Sequence, residues 1–344
     1  MSYLKSIFLF IPAVIYYLIT MVRNYLYDVA WFKSQSFHHP KTIVVGNLAV
    51  GGTGKSPLVS FLLKNWFWVD EIAVLSRGYG RKTKGFRWAD ENSTANEIGD
   101  EPLAYHLQFP TIPVAVGEDR VAAIQKMKKE RASLSYVILD DAFQHRNLRS
   151  SLPIVCTTFQ QPFFEDHIMP LGRLRESRSG IKRAKALIVT RCPADLSIQQ
   201  RKKFIQSVRS YAKKDLPVFF AGIHYGQPVG LNKSNITKWH LIAGIADPTL
   251  FFEQAKQLGM ILTHSTYEDH HTFKKEELKV WENKAESMSN EEGILTTHKD
   301  FVRFKDHLDK YPHLKAKLSY LPMEMYFLDG DKGFWAWMGT KLGR

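Results

Sequence analysis

The chain has 344 residues, 44% hydrophobic and 24% charged, the balance of a folded protein with one large or two modest cores rather than a disordered or fibrous chain. Its 47 Lys and Arg against 34 Asp and Glu leave a formal charge of +13, which favours anionic partners: phosphorylated metabolites, an anionic membrane surface or nucleic acid. The basic residues are scattered, without the aromatic-interleaved pattern of a strand-binding groove, so nucleic acid is not an expected partner. The two cysteines, Cys156 and Cys192, lack Cys-x-x-Cys spacing and read as buried, reduced thiols of a cytoplasmic protein.

The first element, residues 7–22 (IFLFIPAVIYYLITMV), carries no charge. As a helix this run would reach only ~24 Å, short of a ~30 Å hydrocarbon core, and Pro12 is expected to interrupt it. Tyr16, Tyr17, Tyr25, Tyr27 and Trp31 are aromatics of the kind that sit at headgroup level, and Lys5 and Arg23 flank the run. A surface or partly inserted anchor is therefore expected ahead of a true span or a buried core helix.

From residue 42 apolar runs alternate with helix-like stretches. Strands are predicted at 42–46, 71–76, 111–117, 135–141, 152–158 and 185–191, which implies a mostly parallel sheet with helices on both faces. Polar clusters follow four of them: the glycine-rich loop after the first, Ser76 to Arg81 after the second, Gly117 to Arg120 after the third, and Asp140 to Arg146 after the fourth. In a parallel sheet these loops leave at one edge, where ligands of open α/β sheets bind.

The loop itself, GNLAVGGTGKSPL over 46–58, has Ala49 where the strict phosphate-loop pattern has glycine. The residues that must approach phosphate are nonetheless present: Gly51, Gly52, Thr53 and Gly54, then Lys55 for the β- and γ-phosphates and Ser56 for Mg²⁺. The VILD run at 137–140 supplies a Walker-B-like carboxylate, Asp140, and Asp141 follows it. Loop and strand together predict a P-loop NTPase-like fold that uses ATP and Mg²⁺. Asp100 and Glu101 in the GDEP run at 99–102 suit either activation of an acceptor hydroxyl or an acidic helix N-terminus. Arg77, Arg120, Arg173 and Arg175 are candidate phosphate contacts, since a guanidinium fork matches phosphate oxygens.

A second, smaller α/β lobe is predicted over 226–321, reading strand–helix–strand–helix–strand, between the apolar runs at 218–223 and 323–328. The expected organisation is a membrane-associating helix (1–35), a P-loop kinase lobe (36–225), the smaller lobe (226–321) and a linker strand with a C-terminal segment returning to the first lobe (322–344). The smaller lobe carries Asp269-His270-His271. Adjacent histidines on an extended strand face opposite ways, so one histidine acting with an acid across the cleft is a better reading than a shared metal.

Taken together, Gly46-Asn47 with GGTGKSP, SRGYGR, GDEP, the D-D-x-F-Q-H run at 140–145, PLGRLRE and DHH resemble the lipid A 4'-kinases, the tetraacyldisaccharide 4'-kinases of Gram-negative bacteria. The resemblance runs from the N-terminal helix to about residue 300. It implies an ATP- and Mg²⁺-dependent kinase at the cytoplasmic face of the inner membrane, peripheral or monotopic. Its substrate would be a tetraacylated glucosamine disaccharide 1-phosphate, phosphorylated on the 4'-hydroxyl to give the lipid A precursor, lipid IVA. It further implies that Lys55 and Ser56 contact phosphate and magnesium, that Asp140 and Asp141 are the metal-side carboxylates, and that Asp100 acts at the acceptor hydroxyl with support from His270. Two positions depart from the family: Ser56 stands for the commoner Thr, and His298 for Glu in the TTHKD run at 296–300. The competing expectations are a membrane-tethered P-loop switch, although the Thr190-Arg191-Cys192-Pro193 run lacks the guanine-reading pattern, and a kinase of another sugar.

Overall fold

The computed structural model describes residues 3–68, 70–230, 236–245, 247–269 and 271–344. It opens with helix α1 (Tyr3–Asp28), then β1 (Lys41–Asn47), α2 (Lys55–Lys64), β2 (Glu71–Ser76), the two-residue β3 (Arg87–Trp88), α3 (Ala95–Ile98) and α4 (Asp100–Gln108). β4 (Val114–Val116), α5 (Arg120–Glu130), β5 (Leu134–Asp140), β6 (Leu152–Thr158), β7 (Ala186–Thr190), α6 (Ile198–Arg209) and β8 (Val218–Tyr225) follow. Then come β9 (Lys238–Ala243), α7 (Thr249–Leu258), β10 (Met260–Thr266), α8 (Lys275–Glu286), β11 (Glu292–Thr297) and α9 (His298–Leu308). The chain closes with α10 (Pro312–Lys317), β12 (Leu318–Leu321), β13 (Met323–Phe327) and α11 (Lys332–Leu342).

Among the described residues the strands form a nine-stranded sheet, β13-β8-β7-β6-β1-β5-β2-β4-β3, and a four-stranded sheet, β10-β9-β11-β12. The larger sheet is parallel from β8 through β4, with antiparallel β13 and β3 at its edges. Its central strands read as unbroken apolar runs because both faces are covered. Val44, Leu139, Val155 and Leu187 point to one face. Ile43, Val45, Ile138, Ile154 and Ile188 point to the other, against α2 and α11. There Phe61, Phe327 and Phe334 lock the C-terminal helix down, with the Phe327 and Phe334 rings 4.6 Å apart.

The smaller sheet is wholly parallel. It contains a strand, β12, and two helices, α9 and α10, beyond the strand–helix–strand–helix–strand pattern expected from the sequence. β12 is four residues long, too short for a periodicity to declare itself. Val302 of α9 is fully buried beside Ile98, Leu103 and Val116, so this sheet's helix layer packs directly on the α3–α4 corner of the larger one.

The N-terminal helix corrects one expectation. α1 runs unbroken for 26 residues through Pro12, about 39 Å at ~1.5 Å per residue. Proline forfeits a single backbone hydrogen bond, and the long flanking helix carries the chain past it. α1 shows two faces. Ala13 and Thr20 are buried, whereas Phe8, Ile11, Ile15 and Ile19 are exposed. Tyr16, which sequence reasoning set at headgroup level, turns inward: its hydroxyl donates to the Arg175 carbonyl at 2.9 Å. Asn24 donates to Glu176 Oε2 at 2.8 Å, and Arg146 reaches both the Asn24 carbonyl (3.0 Å) and Asp28 (2.7 Å).

Candidate active site

β1 and β5 are neighbours, so the loop after one and the carboxylates ending the other meet at the carboxyl edge of the sheet. The loop turns into α2 at Gly54, which has φ 80°, and a Cβ there would lie 2.8–2.9 Å from Thr190. Glycine is thus required twice over, by backbone and by space. Thr53 is fixed from both sides: Asn47 Nδ2 donates to its hydroxyl at 2.8 Å, and Thr190 Oγ1 donates to its carbonyl at 3.0 Å. Ala49 is buried and bridges Leu174, outside the phosphate-facing turn, so its side chain does not interfere with the loop.

The adjacent carboxylates have opposite environments. Asp140 is 4% exposed; burial first, and then the neighbouring Asp141, push its pKa up to about 7. Tyr105 donates to its Oδ2 at 3.1 Å, while Oδ1 is buried without a hydrogen-bond partner. Burial also pushes Asp141 up, but Lys55 and then Arg175 outweigh it and hold this carboxyl below its ordinary value. Arg175 grips Asp141 with both terminal nitrogens (2.7 and 3.0 Å), and Lys55 Nζ lies 3.8 Å from the same group. Asp141 itself sits at φ 51°, a left-handed conformation that costs a non-glycine residue ~1–2 kcal/mol.

An orphaned buried carboxylate oxygen beside a helix N-terminal hydroxyl fits a hard cation that takes oxygen ligands. Asp140 and Ser56 meet that description; both contact Tyr105. Asp141 is committed to Arg175 and Lys55. Among the described residues no three His, Cys, Asp or Glu side chains cluster as a metal site of their own. The Asp140 oxygen and the Ser56 hydroxyl fit Mg²⁺, which is commonly held by one or two carboxylates with water and substrate phosphates completing its shell.

Of the remaining predicted arginines, Arg120 is buried at the start of α5 and donates to the carbonyls of Gly117 and Glu118. Burial and then Arg77 lower its pKa to about 10. Arg77 is exposed at the end of β2. Arg173 turns away to Asp166 at 2.8 Å, although its backbone carbonyl accepts from Val50 N and so braces the loop. Arg191, weighed in the sequence only as part of a guanine-reading run that fails, has φ 54° and lies against Gly52, 3.1 Å from where a Cβ would stand. Its signal was its place directly after a parallel strand.

Asp100 begins α4 and points towards the smaller sheet, where Arg303 Nε meets its Oδ2 at 2.8 Å. Glu101 pairs instead with Lys299 at 3.2 Å. His270 lies outside the described residues. His271 is bound to Glu277 at 3.0 Å and stacks on Tyr267 at 4.7 Å, a local structural role. His298, the departure in the TTHKD run, stacks on Tyr320 at 4.6 Å, and burial alone lowers its pKa to about 4. A base whose folded pKa is depressed loses stability as pH falls, because the unfolded chain binds the proton first. The window runs from about 6.5 down to about 4. His298→Phe, which keeps the stacking, will therefore flatten the fall in Tm across that window by on the order of a few degrees, measured by calorimetry at stepped pH.

A family model described as tetraacyldisaccharide-1-P 4'-kinase matches residues 5–343. The tetraacyldisaccharide 4'-kinase of Flavobacterium psychrophilum is 37% identical over 337 residues, covering 96% of this chain and 94% of its own. That of Flavobacterium johnsoniae is 38% identical over 341 residues, covering 97% and 96%. That of Bacteroides thetaiotaomicron is 34% identical over 337 residues, covering 92% and 88%. Among solved structures, LpxK from Aquifex aeolicus in complex with ATP superposes with a TM-score of 0.73 at 24% identity, covering 96% of this chain and 97% of that one, a likeness of fold.

Proposed function

Because the chain belongs to the tetraacyldisaccharide-1-P 4'-kinase family, it is a kinase of an acylated disaccharide, and we propose how its cleft performs the transfer. ATP lies along the loop from Gly51 to Ser56, with Lys55 at its β- and γ-phosphates. Asp140 and Ser56 would hold Mg²⁺, with Asp141 beside them, and the ion would supply neutralisation of charge on the β- and γ-phosphates. Arg175 turns from Asp141 towards the transferring phosphoryl group, where a guanidinium stabilises charge on its equatorial oxygens. Arg77 and Arg120 present positive charge to the anionic substrate, and Arg173 acts through the loop it braces. Asp100 orients the 4'-hydroxyl and takes its proton as oxygen attacks the γ-phosphorus. The bond to the bridging oxygen breaks and ADP leaves, so a phosphate monoester is formed.

One observation carries this reading. Arg175 touches the nucleotide-side carboxylate with its guanidinium and the apolar N-terminal helix with its carbonyl. The middle of the apolar helix is therefore tied, through Arg175, to the nucleotide side of the site. The decisive experiment supplies full-length protein with ATP, Mg²⁺ and the tetraacylated disaccharide 1-phosphate, and weighs the lipid product. A gain of one phosphate supports the assignment; ATP hydrolysis indifferent to the lipid would overturn it.

α1 rests on the cytoplasmic face of the inner membrane with its exposed apolar face in the lipid, while Tyr16, Thr20 and Asn24 keep the other face on the body of the enzyme. The +13 charge favours an anionic surface. Burying each large apolar side chain contributes ~1.5–3 kcal/mol. Replacing Ile11, Ile15 and Ile19 together with Glu will accordingly weaken co-sedimentation with anionic phospholipid vesicles by more than about tenfold. ATP affinity, read by calorimetry, should stay unchanged.

A further inference from the structure

Arg303 is 8% exposed, on α9 of the smaller sheet's layer, and it reaches across to the first residue of α4. Its Nε donates to Asp100 Oδ2 at 2.8 Å, and one terminal nitrogen donates to Asp300 Oδ1 at 2.9 Å and to the Gly244 carbonyl at 3.1 Å. Asp300 is fully buried and is itself held: its Oδ2 accepts from Gly244 N at 2.8 Å and from Thr297 Oγ1 at 2.7 Å. A Cβ on Gly244 would stand 2.9 Å from Asp300 Oδ1, so the glycine makes room for this carboxylate. Gly244 follows β9 and Thr297 ends β11. The carboxyl ends of two parallel strands in the smaller sheet thus build a socket for one guanidinium, which is aimed at a carboxylate of the larger lobe.

A buried ion pair adds little stability for its desolvation cost, and apolar packing under the same contact is already supplied by Val302. The Arg303 contact is better explained by geometry, because a fork held at two ends fixes the rotamer and the charge of the group it touches. We propose that Arg303 is the positioning residue for Asp100, so that docking of the smaller sheet and alignment of the acceptor-side carboxylate are a single event. This rests on the reading that Asp100 acts at the 4'-hydroxyl.

The test uses full-length enzyme with ATP and the tetraacylated disaccharide 1-phosphate. Arg303→Gln should lower kcat roughly 30- to 100-fold, as misplacement of a reacting group by about 1 Å does, while KM for ATP moves by less than about threefold. Arg303→Lys, which keeps the charge and loses the fork, should recover part of that loss but leave kcat about tenfold down. Val302→Ala loosens the same interface without touching the ion pair; it should lower Tm yet keep kcat within about threefold. If Arg303→Gln retains kcat within about threefold, or Val302→Ala slows turnover as much, the inference is overturned. Should Arg303→Gln fail to fold, Arg303→Lys decides: a tenfold lower kcat at unchanged KM for ATP supports positioning, and an unchanged kcat refutes it. Asp100→Asn in the same assay separates the two ideas. Near-normal turnover there removes the role of Asp100 itself, whereas a dead Asp100→Asn beside a normal Arg303→Gln removes only the role of Arg303.

Discussion

Asp100→Asn will lower kcat for lipid phosphorylation by ~10²–10⁴-fold, the span of a lost general base, and will leave ATP binding within about threefold of normal. The asymmetry follows from where the residue stands. Asp100 opens α4, whereas the phosphate loop opens α2, and Asp100 Oδ2 is turned to Arg303. Asparagine keeps the size and the chance of a hydrogen bond to Arg303 Nε but cannot accept the hydroxyl proton. Glu101, one position along the helix, is drawn off by Lys299, so Glu101→Gln should cost much less. Initial rates with labelled ATP and equilibrium binding of a non-hydrolysable analogue read both quantities. Comparable losses at the two positions would show that the acidic pair acts through α4 as a whole and not through Asp100.

Arg175→Lys should be nearly as damaging, lowering kcat on the order of 10²–10³-fold, because the site uses the planar fork and not merely the charge. Arg175 engages both oxygens of Asp141, and its backbone is pinned twice: its N–H donates to the Leu48 carbonyl at 2.7 Å and its carbonyl accepts from Tyr16. A lysine can meet one oxygen of one partner. Asp141→Asn removes the carboxylate that holds both Arg175 and Lys55, so it should lower kcat and ATP affinity together. Tyr16→Phe should retain most turnover, since it removes only a hydrogen bond to the backbone. Turnover by Arg175→Lys within a few-fold of the parent would mean that Arg175 serves only to hold Asp141.

Much of the candidate site's layout was legible in the residues. The glycines, Lys55 and Ser56 announce a phosphate loop because few side chains tolerate left-handed backbone beside an anion. Asp140 is marked by the apolar strand that precedes it. The polar clusters after β1, β2, β4 and β5 could be assigned to one edge because parallel strands all release their loops there. The resemblance read from the motifs also agrees with the family model that spans residues 5–343.

Other features were not legible. Pro12 suggested a broken helix, since local propensity cannot see the turns that continue α1 past it. Tyr16 looked like a headgroup aromatic until the fold brought Arg175, 159 residues away, to its hydroxyl. Asp140 and Asp141 are adjacent and alike in sequence; burial and then the neighbouring Asp141 outweigh Lys55 at Asp140, whereas at Asp141 Lys55 and then Arg175 outweigh burial. Arg303 lies 203 residues from Asp100, and no periodicity or spacing links the two. The available chemistry, a glycine-rich loop, carboxylates and an apolar N-terminus, is readable from the residues alone, because each is written in a short local pattern. The folded chain settles which carboxylate keeps one oxygen without a partner, which arginine holds the other, and how the smaller sheet reaches Asp100. Those outcomes depend on burial and long-range contacts that no local pattern encodes.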